Sequence, residues 1–243
     1  MCELMALTFA RPAPAQPWLQ KFAARGEENA DGWGLACYPD CAALLIKEPL
    51  RWGASRLAHF LETYDELSSP IYLAHVRYKT RGDAPAYCDT HPFLRERHGR
   101  EYVFAHNGTL EGNLLTRPLG HYRPLGVTDS EVAFGHLLGE LDRRGGDLDH
   151  VEDWRWLHGF LSEINQLGKL NMLLSDGRRL FVYHDVNKWK GLHFRRLDRG
   201  FVVATCPLDE GSWTPLRTGE LLVFQAGGAC YSSHRDLASP EFG

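Results

Sequence analysis

Cysteine at position 2 is the residue of this chain with the most chemistry available to it. If the initiator Met1 is removed, Cys2 carries a thiol and a free α-amine on the same residue. The amine titrates at about 7.7–8.0 and the thiol near about 8.5, so near neutral pH the first can collect the proton of the second during an attack. Read without that chemistry, Cys2 is a small apolar residue opening the strand CELMALTF.

A thiol attacking an amide needs donors for the oxyanion and groups that hold the charges of its substrate. The segment AHNGTL (105–110) offers the donors: Asn107 has a side-chain amide, and Gly108 lets a backbone N–H come close to a reacting atom. The same Asn-Gly pair is also an ordinary turn between strands. In AHVRYKTRGD (74–83), Arg77 stands at the C-terminal end of an apolar strand. There a guanidinium can clamp a carboxylate through two parallel hydrogen bonds, or simply face solvent. In VTDSEVAF (127–134), Asp129 starts a helix, where a carboxylate suits the dipole and can receive an ammonium group. Helix capping explains that segment equally well. Taken together, the residues describe a pocket for one kind of molecule. An arginine takes an α-carboxylate, an aspartate takes an α-ammonium, and a nucleophile with an oxyanion hole meets a side-chain amide. Glutamine fits, as does any compound with a free γ-glutamyl group.

Composition narrows the alternatives. With 27 basic and 31 acidic residues the net charge is −4, and no basic run is present. Binding to nucleic acid or to an anionic membrane is therefore not expected. No apolar run reaches the roughly 18 residues that span a bilayer, and the first dozen residues lack the basic start of a secretory signal. A cytoplasmic location follows as the default. The six cysteines form no Cys-x-x-Cys pair and read as structural core thiols; the 12 histidines form no zinc-binding spacing. Neither a metal nor a cofactor is expected.

The elements that must position these residues are legible in outline. A first strand covers 2–9, followed by a Pro-rich bend at 12–17 and a short helix holding Trp18, Leu19 and Phe22. Strands near 32–38 and 42–47 flank a turn at Pro39-Asp40. Leu57, Phe60, Leu61 and Tyr64 fall at helical spacing and predict one buried stripe. Thr128 and Glu131 predict a capping box, with Phe134, Leu137, Leu138 and Leu141 continuing the helix to Gly145-Gly146. A second helix aligns Trp154, Leu157, Leu161 and Ile164, and from 169 onward five or six strands are expected, one hairpin turning at Asp176-Gly177. Strands at both ends with helices grouped between them predict mixed or antiparallel sheets covered by helices, in one domain spanning 1–243.

Cys2, DGWGLACY, AHVRYKTRG, THPF, AHNGTL and TDSE resemble, in order and approximate spacing, the class II glutamine amidotransferases, which are N-terminal-nucleophile hydrolases. The resemblance is dense to about Glu131 and looser through NMLLSDG, where it looks like the short, single-domain YafJ-like branch. It implies an α+β fold, a four-layer αββα sandwich of two stacked, mainly antiparallel sheets. It also implies Cys2 as nucleophile, its α-amine as base, Asn107 and Gly108 as oxyanion hole, and Arg77 and Asp129 as substrate-binding residues. Thr80 matches a position lining the pocket, and His91-Pro92 matches a His-Pro that shapes the neighbouring loop. Glu3 departs from the glycine usual after the nucleophile in larger members, Tyr78 from tryptophan, and Arg81 from histidine. Three functions are compatible: hydrolysis of a γ-glutamyl amide through a thioester on Cys2, a glutaminase subunit feeding ammonia to a separate synthetase or accessory protein, and a non-catalytic glutamate- or glutamine-binding protein.

Overall fold

The first strand, β1 (Glu3–Pro14), is apolar on both faces, with Leu4 and Ala6 on one and Met5, Leu7 and Phe9 on the other. A strand of that kind belongs at the centre of a sheet covered on both sides. The computed structural model, which describes residues 2–78, 85–112 and 119–242, puts it there. The chain continues through α1 (Gln16–Gly26), β2 (Trp33–Cys37), β3 (Leu44–Glu48), α2 (Arg56–Leu61), β4 (Ser68–Val76), β5 (Phe93–Arg97) and β6 (Arg100–Leu110). Two long helices follow, α3 (Asp129–Arg144) and α4 (Val151–Asn165). The rest is strand: β7 (Gly168–Ser175), β8 (Arg179–Tyr183), β9 (His193–Leu197), β10 (Gly200–Ala204), β11 (Thr214–Pro215), β12 (Leu221–Gln225) and β13 (Gly228–Ser232).

Two antiparallel sheets result, in the orders β11-β9-β10-β1-β4-β2-β3 and β13-β12-β8-β7-β6-β5. Alternation along the strands divides the apolar residues into three cores. Between the sheets lie Leu4, Ala6, Leu73, Val103, Ala105 and Leu173 with their neighbours. Under α1 and α2 lie Met5, Leu7, Phe22, Trp33 and Trp52. Under α3 and α4 lie Phe104, Phe134, Leu138, Leu157, Leu174 and Phe181. Helix, sheet, sheet, helix: the fold is the α+β, four-layer αββα sandwich.

Several local expectations change. β1 does not end at residue 9 but runs on through Pro12 and Pro14, with its pairing to β4 shifted between Thr8 and Ala13. The break in register accommodates prolines that have no N–H to give a regular ladder. The stripe on α2 is not buried as a whole. Ala58 and Leu61 face the core, whereas Leu57, Phe60 and Tyr64 are exposed, Phe60 and Tyr64 stacking on each other at 4.8 Å. The C-terminal part holds seven strands among the described residues rather than five or six. Of the cysteines only Cys37 is buried; Cys41 is exposed and the rest are intermediate, all six being free thiols.

One close approach governs the region beside β2. A Cβ on Gly34 would lie 2.2 Å from the His91 carbonyl oxygen and 2.8 Å from Pro92, so only glycine lets the 90–92 segment cross β2. Lys47 on β3 then pins that segment, donating to the Thr90 carbonyl at 2.6 Å and the Pro92 carbonyl at 3.3 Å. Gly34→Ala is expected to lower stability by roughly 1–3 kcal/mol, read from the midpoint of chemical denaturation.

Candidate active site

The site forms where β1, β4 and β6 end together at one edge of the inter-sheet space. Cys2 precedes β1 by one residue. Its Sγ lies 3.3 Å from the Tyr78 N–H, which donates to it, and 3.4 Å from the Tyr78 carbonyl. Burial pushes the Cys2 thiol pKa up, outweighing the Tyr78 backbone hydrogen bond and the Arg77 charge, which pull it down. The thiol is therefore protonated at neutral pH, and an attack through sulfur requires a base.

Arg77 extends the β2–β4 ladder by one step. Its N–H donates to Gly32 O at 2.7 Å and its carbonyl accepts from Asp31 N at 3.1 Å, which gives the DGWG segment a positioning task. The residue is only 7% exposed, and among the described residues its Nη1 has no hydrogen-bond partner. A buried guanidinium N–H without an acceptor is costly, and a bound carboxylate would remove the cost.

On the same strand, the His75 ring meets the His91 ring in a tilted contact at 4.4 Å, and Phe93 lies 4.5 Å from His91. Burial, then the Arg77 and His106 charges, lower the His75 pKa to about 3. Burial and then His75 hold His91 well below its ordinary range. Both rings are held neutral near the arginine charge.

Asn107 comes from the other sheet. Its Nδ2 donates to the Cys2 carbonyl at 2.7 Å, which leaves its second N–H for another acceptor. Gly108 follows, where a Cβ would come within 2.0 Å of the Lys169 carbonyl oxygen. Strand parity gives the direction of the Gly108 N–H. Glu111 N–H bonds to Leu167 O on the β7 side, whereas Leu110 N–H points the opposite way, to Asp129 Oδ2 at 2.6 Å. Gly108 shares the parity of Leu110, so its N–H also points away from β7. β5 has stopped pairing there, its last partner on β6 being Phe104.

Asp129 is the first residue of α3, and one of its oxygens is committed to Leu110. The loop before it is held by two further buried carboxylates. Glu131 accepts from Leu125 N at 3.0 Å, Gly126 N at 2.9 Å and the Arg95 guanidinium; Asp89 accepts from Val127 N at 2.8 Å. Only half of the expected capping box forms. Thr128 Oγ1 accepts from Glu131 N at 3.2 Å, but the Glu131 side chain goes to the loop instead of to Thr128 N–H.

Cys2, Arg77 and Asn107 are thus brought together directly, with Gly108 and Asp129 along the adjoining strand edge. Thr80 lies outside the described residues, as do Met1 and Arg81. Sequence reasoning missed Lys190, whose ammonium stands 3.5 Å from the Cys2 carbonyl and pairs with Glu3, and Asn171, which holds the segment carrying Lys190. These partners are far apart in the chain and form no motif. Among the described residues no cluster of His, Cys, Asp and Glu is arranged to hold a metal ion, and no helix is long and apolar enough to cross a membrane.

This sandwich, with a cysteine at the free end of a central strand, has the architecture of the N-terminal-nucleophile glutamine amidotransferases. Residues 1–197 match the family described as class-II glutamine amidotransferases, and the chain belongs to it. An uncharacterized protein of Methanocaldococcus jannaschii is 34% identical over 97% of this chain and 72% of its own length. The Escherichia coli protein YafJ is 34% identical over 84% of this chain and 80% of its own. A Pseudomonas aeruginosa structure described as a predicted glutamine amidotransferase superposes with a TM-score of 0.70 at 25% identity, covering 95% of this chain and all (100%) of that one. Glutamine phosphoribosylpyrophosphate amidotransferase of Bacillus subtilis shares the fold at 20% identity and a TM-score of 0.70, across 96% of this chain and 49% of that one.

The neutral histidine pair gives a signed pH effect. In the unfolded chain both rings protonate through about 6.5, while the folded chain resists protonation down to about 3 at His75. Their contribution to stability is full above about 6.5 and drains away as the pH falls toward the folded value. The denaturation midpoint is expected to drop steadily from pH 7 to pH 5, by up to roughly 1.4 kcal/mol per unit for each histidine. A His91→Phe variant should show a shallower slope in the same titration.

Proposed function

We propose that this protein hydrolyses the γ-amide of glutamine or of a related γ-glutamyl compound, through a γ-glutamyl thioester on Cys2. One observation carries the reading: a buried arginine, with an N–H that has no partner among the described residues, is adjacent in sequence to the residue whose backbone holds the Cys2 sulfur. A carboxylate seated on Arg77 and an ammonium at Asp129 Oδ1, which otherwise accepts a long bond from Ser130 Oγ at 3.4 Å, would fix the two α-groups of a glutamyl substrate, with the side chain between them reaching toward Cys2. Membership of the amidotransferase family supports chemistry at a glutamine amide.

With Met1 removed, the neutral α-amine of Cys2 takes the thiol proton as sulfur bonds to the γ-carbonyl carbon. The carbonyl electron pair moves onto oxygen, where the second N–H of Asn107 and the N–H of Gly108 stabilise it. The oxyanion collapses, the carbon–nitrogen bond breaks, and the departing amine carries away the proton held by the α-amine. Water then adds to the thioester with the α-amine as base. Sulfur leaves, recovers its proton, and glutamate is released. Burial pushes the Cys2 thiol pKa up, so its proton must be collected during attack, the task this scheme gives to the α-amine.

Cys2→Ala is expected to abolish turnover, and Asn107→Ala to reduce kcat about a hundred- to a thousand-fold, as for loss of one oxyanion donor. Activity should climb with pH through about 7.7–8.0, where the amine becomes neutral. The assay is release of glutamate from glutamine, glutathione and a panel of γ-glutamyl amines, using protein whose intact mass shows Met1 absent. Near-normal turnover by Cys2→Ala, or a rate flat from pH 6 to 8.5, would refute the scheme.

A further inference from the structure

The segment between β8 and β9 passes beside the nucleophile and is held there from the opposite sheet. Asn171 Nδ2 donates to the Lys190 carbonyl at 2.9 Å, and Asn171 Oδ1 accepts from Asp185 N at 3.0 Å. Asp185 Oδ2 in turn accepts from Trp189 N at 3.0 Å. Asn171 is the register partner of Asn107, so the two amides leave the sheet side by side on the face turned toward β1. One reaches the Cys2 carbonyl directly. The other fixes the segment whose Lys190 ammonium lies 3.5 Å from the same oxygen.

Glu3 completes the arrangement. One of its carboxylate oxygens pairs with Lys190 and the other accepts from Thr205 Oγ1. The side chains of Lys190 and Glu3 are 19% and 10% exposed, so the pair is largely removed from water and held on several sides. The glutamate that stands where larger relatives carry glycine is thus occupied in anchoring a lysine beside the nucleophile.

We infer that Lys190 is a positioning residue for Cys2: together with Asn107 it fixes the Cys2 carbonyl, and so the direction in which sulfur meets its substrate. The physical need is clear. Cys2 lies one residue outside the first strand, and once Met1 is gone only one peptide bond ties it to the chain. Hydrogen bonds to its carbonyl then do what a strand ladder does for later residues. A displacement of about 1 Å at a reacting atom can cost a hundred-fold in rate.

The inference rests on Cys2 being the nucleophile, and its test separates the two claims. Lys190→Met keeps the aliphatic bulk and removes the donor, whereas Lys190→Arg keeps a cation of similar reach. In Met1-free protein, Lys190→Met is expected to lower kcat for the best γ-glutamyl substrate about ten- to a hundred-fold with KM within about twofold. Lys190→Arg should restore most of the loss, and Glu3→Gln should lower kcat in the same direction as Lys190→Met. A second measurement does not depend on the substrate. It is the limiting rate of Cys2 alkylation by iodoacetamide at alkaline pH, where thiolate fraction no longer governs the rate, followed by mass spectrometry of the Cys2 peptide. Slower alkylation in Lys190→Met but not in Lys190→Arg supports positioning, even if no γ-glutamyl substrate is turned over by the parent. An unchanged kcat and alkylation rate in Lys190→Met would overturn it. So would equal losses in both variants accompanied by a lower melting temperature.

Discussion

The carbonyl oxygen of Cys2 is the point through which the two sheets agree on where the Cys2 sulfur stands. Cys2 leads into the central strand of one sheet, yet the side chain that grips its carbonyl, Asn107, belongs to the other. Any sliding of one sheet on the other would move sulfur relative to the amide. The large apolar layer between the sheets, dense and resistant to small shifts, prevents such sliding. The core between the sheets is in that sense part of the geometry of the Cys2 site, because it holds constant a distance that no local segment can fix.

Next to that joint the protein carries a cost. Arg77 is buried with an unsatisfied N–H, and the two histidines near it have ring nitrogens without partners, among the described residues. Polar groups left in that condition destabilise a fold, and they persist where the surroundings over-determine them. The surroundings here are backbone: Gly32 and Asp31 hold Arg77 from one side, and the Lys47-pinned 90–92 segment presses His91 onto His75. The electrostatics follow from the same burial. Neutral rings near the guanidinium add no positive charge of their own, so they do not oppose the Arg77 charge.

Much of this could be read from the chain alone, and the failures have physical causes. α3 and α4 were legible because each aligns four large apolar residues, over about two turns in α3 and about three in α4, against a sheet, and the buried sets match. The α2 stripe was misjudged because a six-residue helix offers too few turns to say which side meets the core; its real contacts are Ala58 and Leu61, with the aromatics turned outward. The five candidate residues within the described chain could be named from the sequence because each sits in a short segment with its own chemical logic. Lys190 and Glu3 were not, since a pair 187 positions apart leaves no local trace. The role of Glu131 shifted for a related reason. Its spacing from Thr128 predicts a cap, but two loop N–H groups and an arginine compete for the same carboxylate and win.

The early end of β5 has an outcome of its own. Among the described residues β6 runs on past Phe104 without a paired strand on that flank, and a bare strand flank ordinarily invites another polypeptide to add itself as an extra strand. Here the flank is short, and Asp129 occupies its last donor, so an incoming backbone would find a carboxylate where it needs an amide to receive it. The flank therefore turns away a foreign strand. A chain that must leave unpaired peptide groups near its surface thereby keeps them from becoming a seed for aggregation.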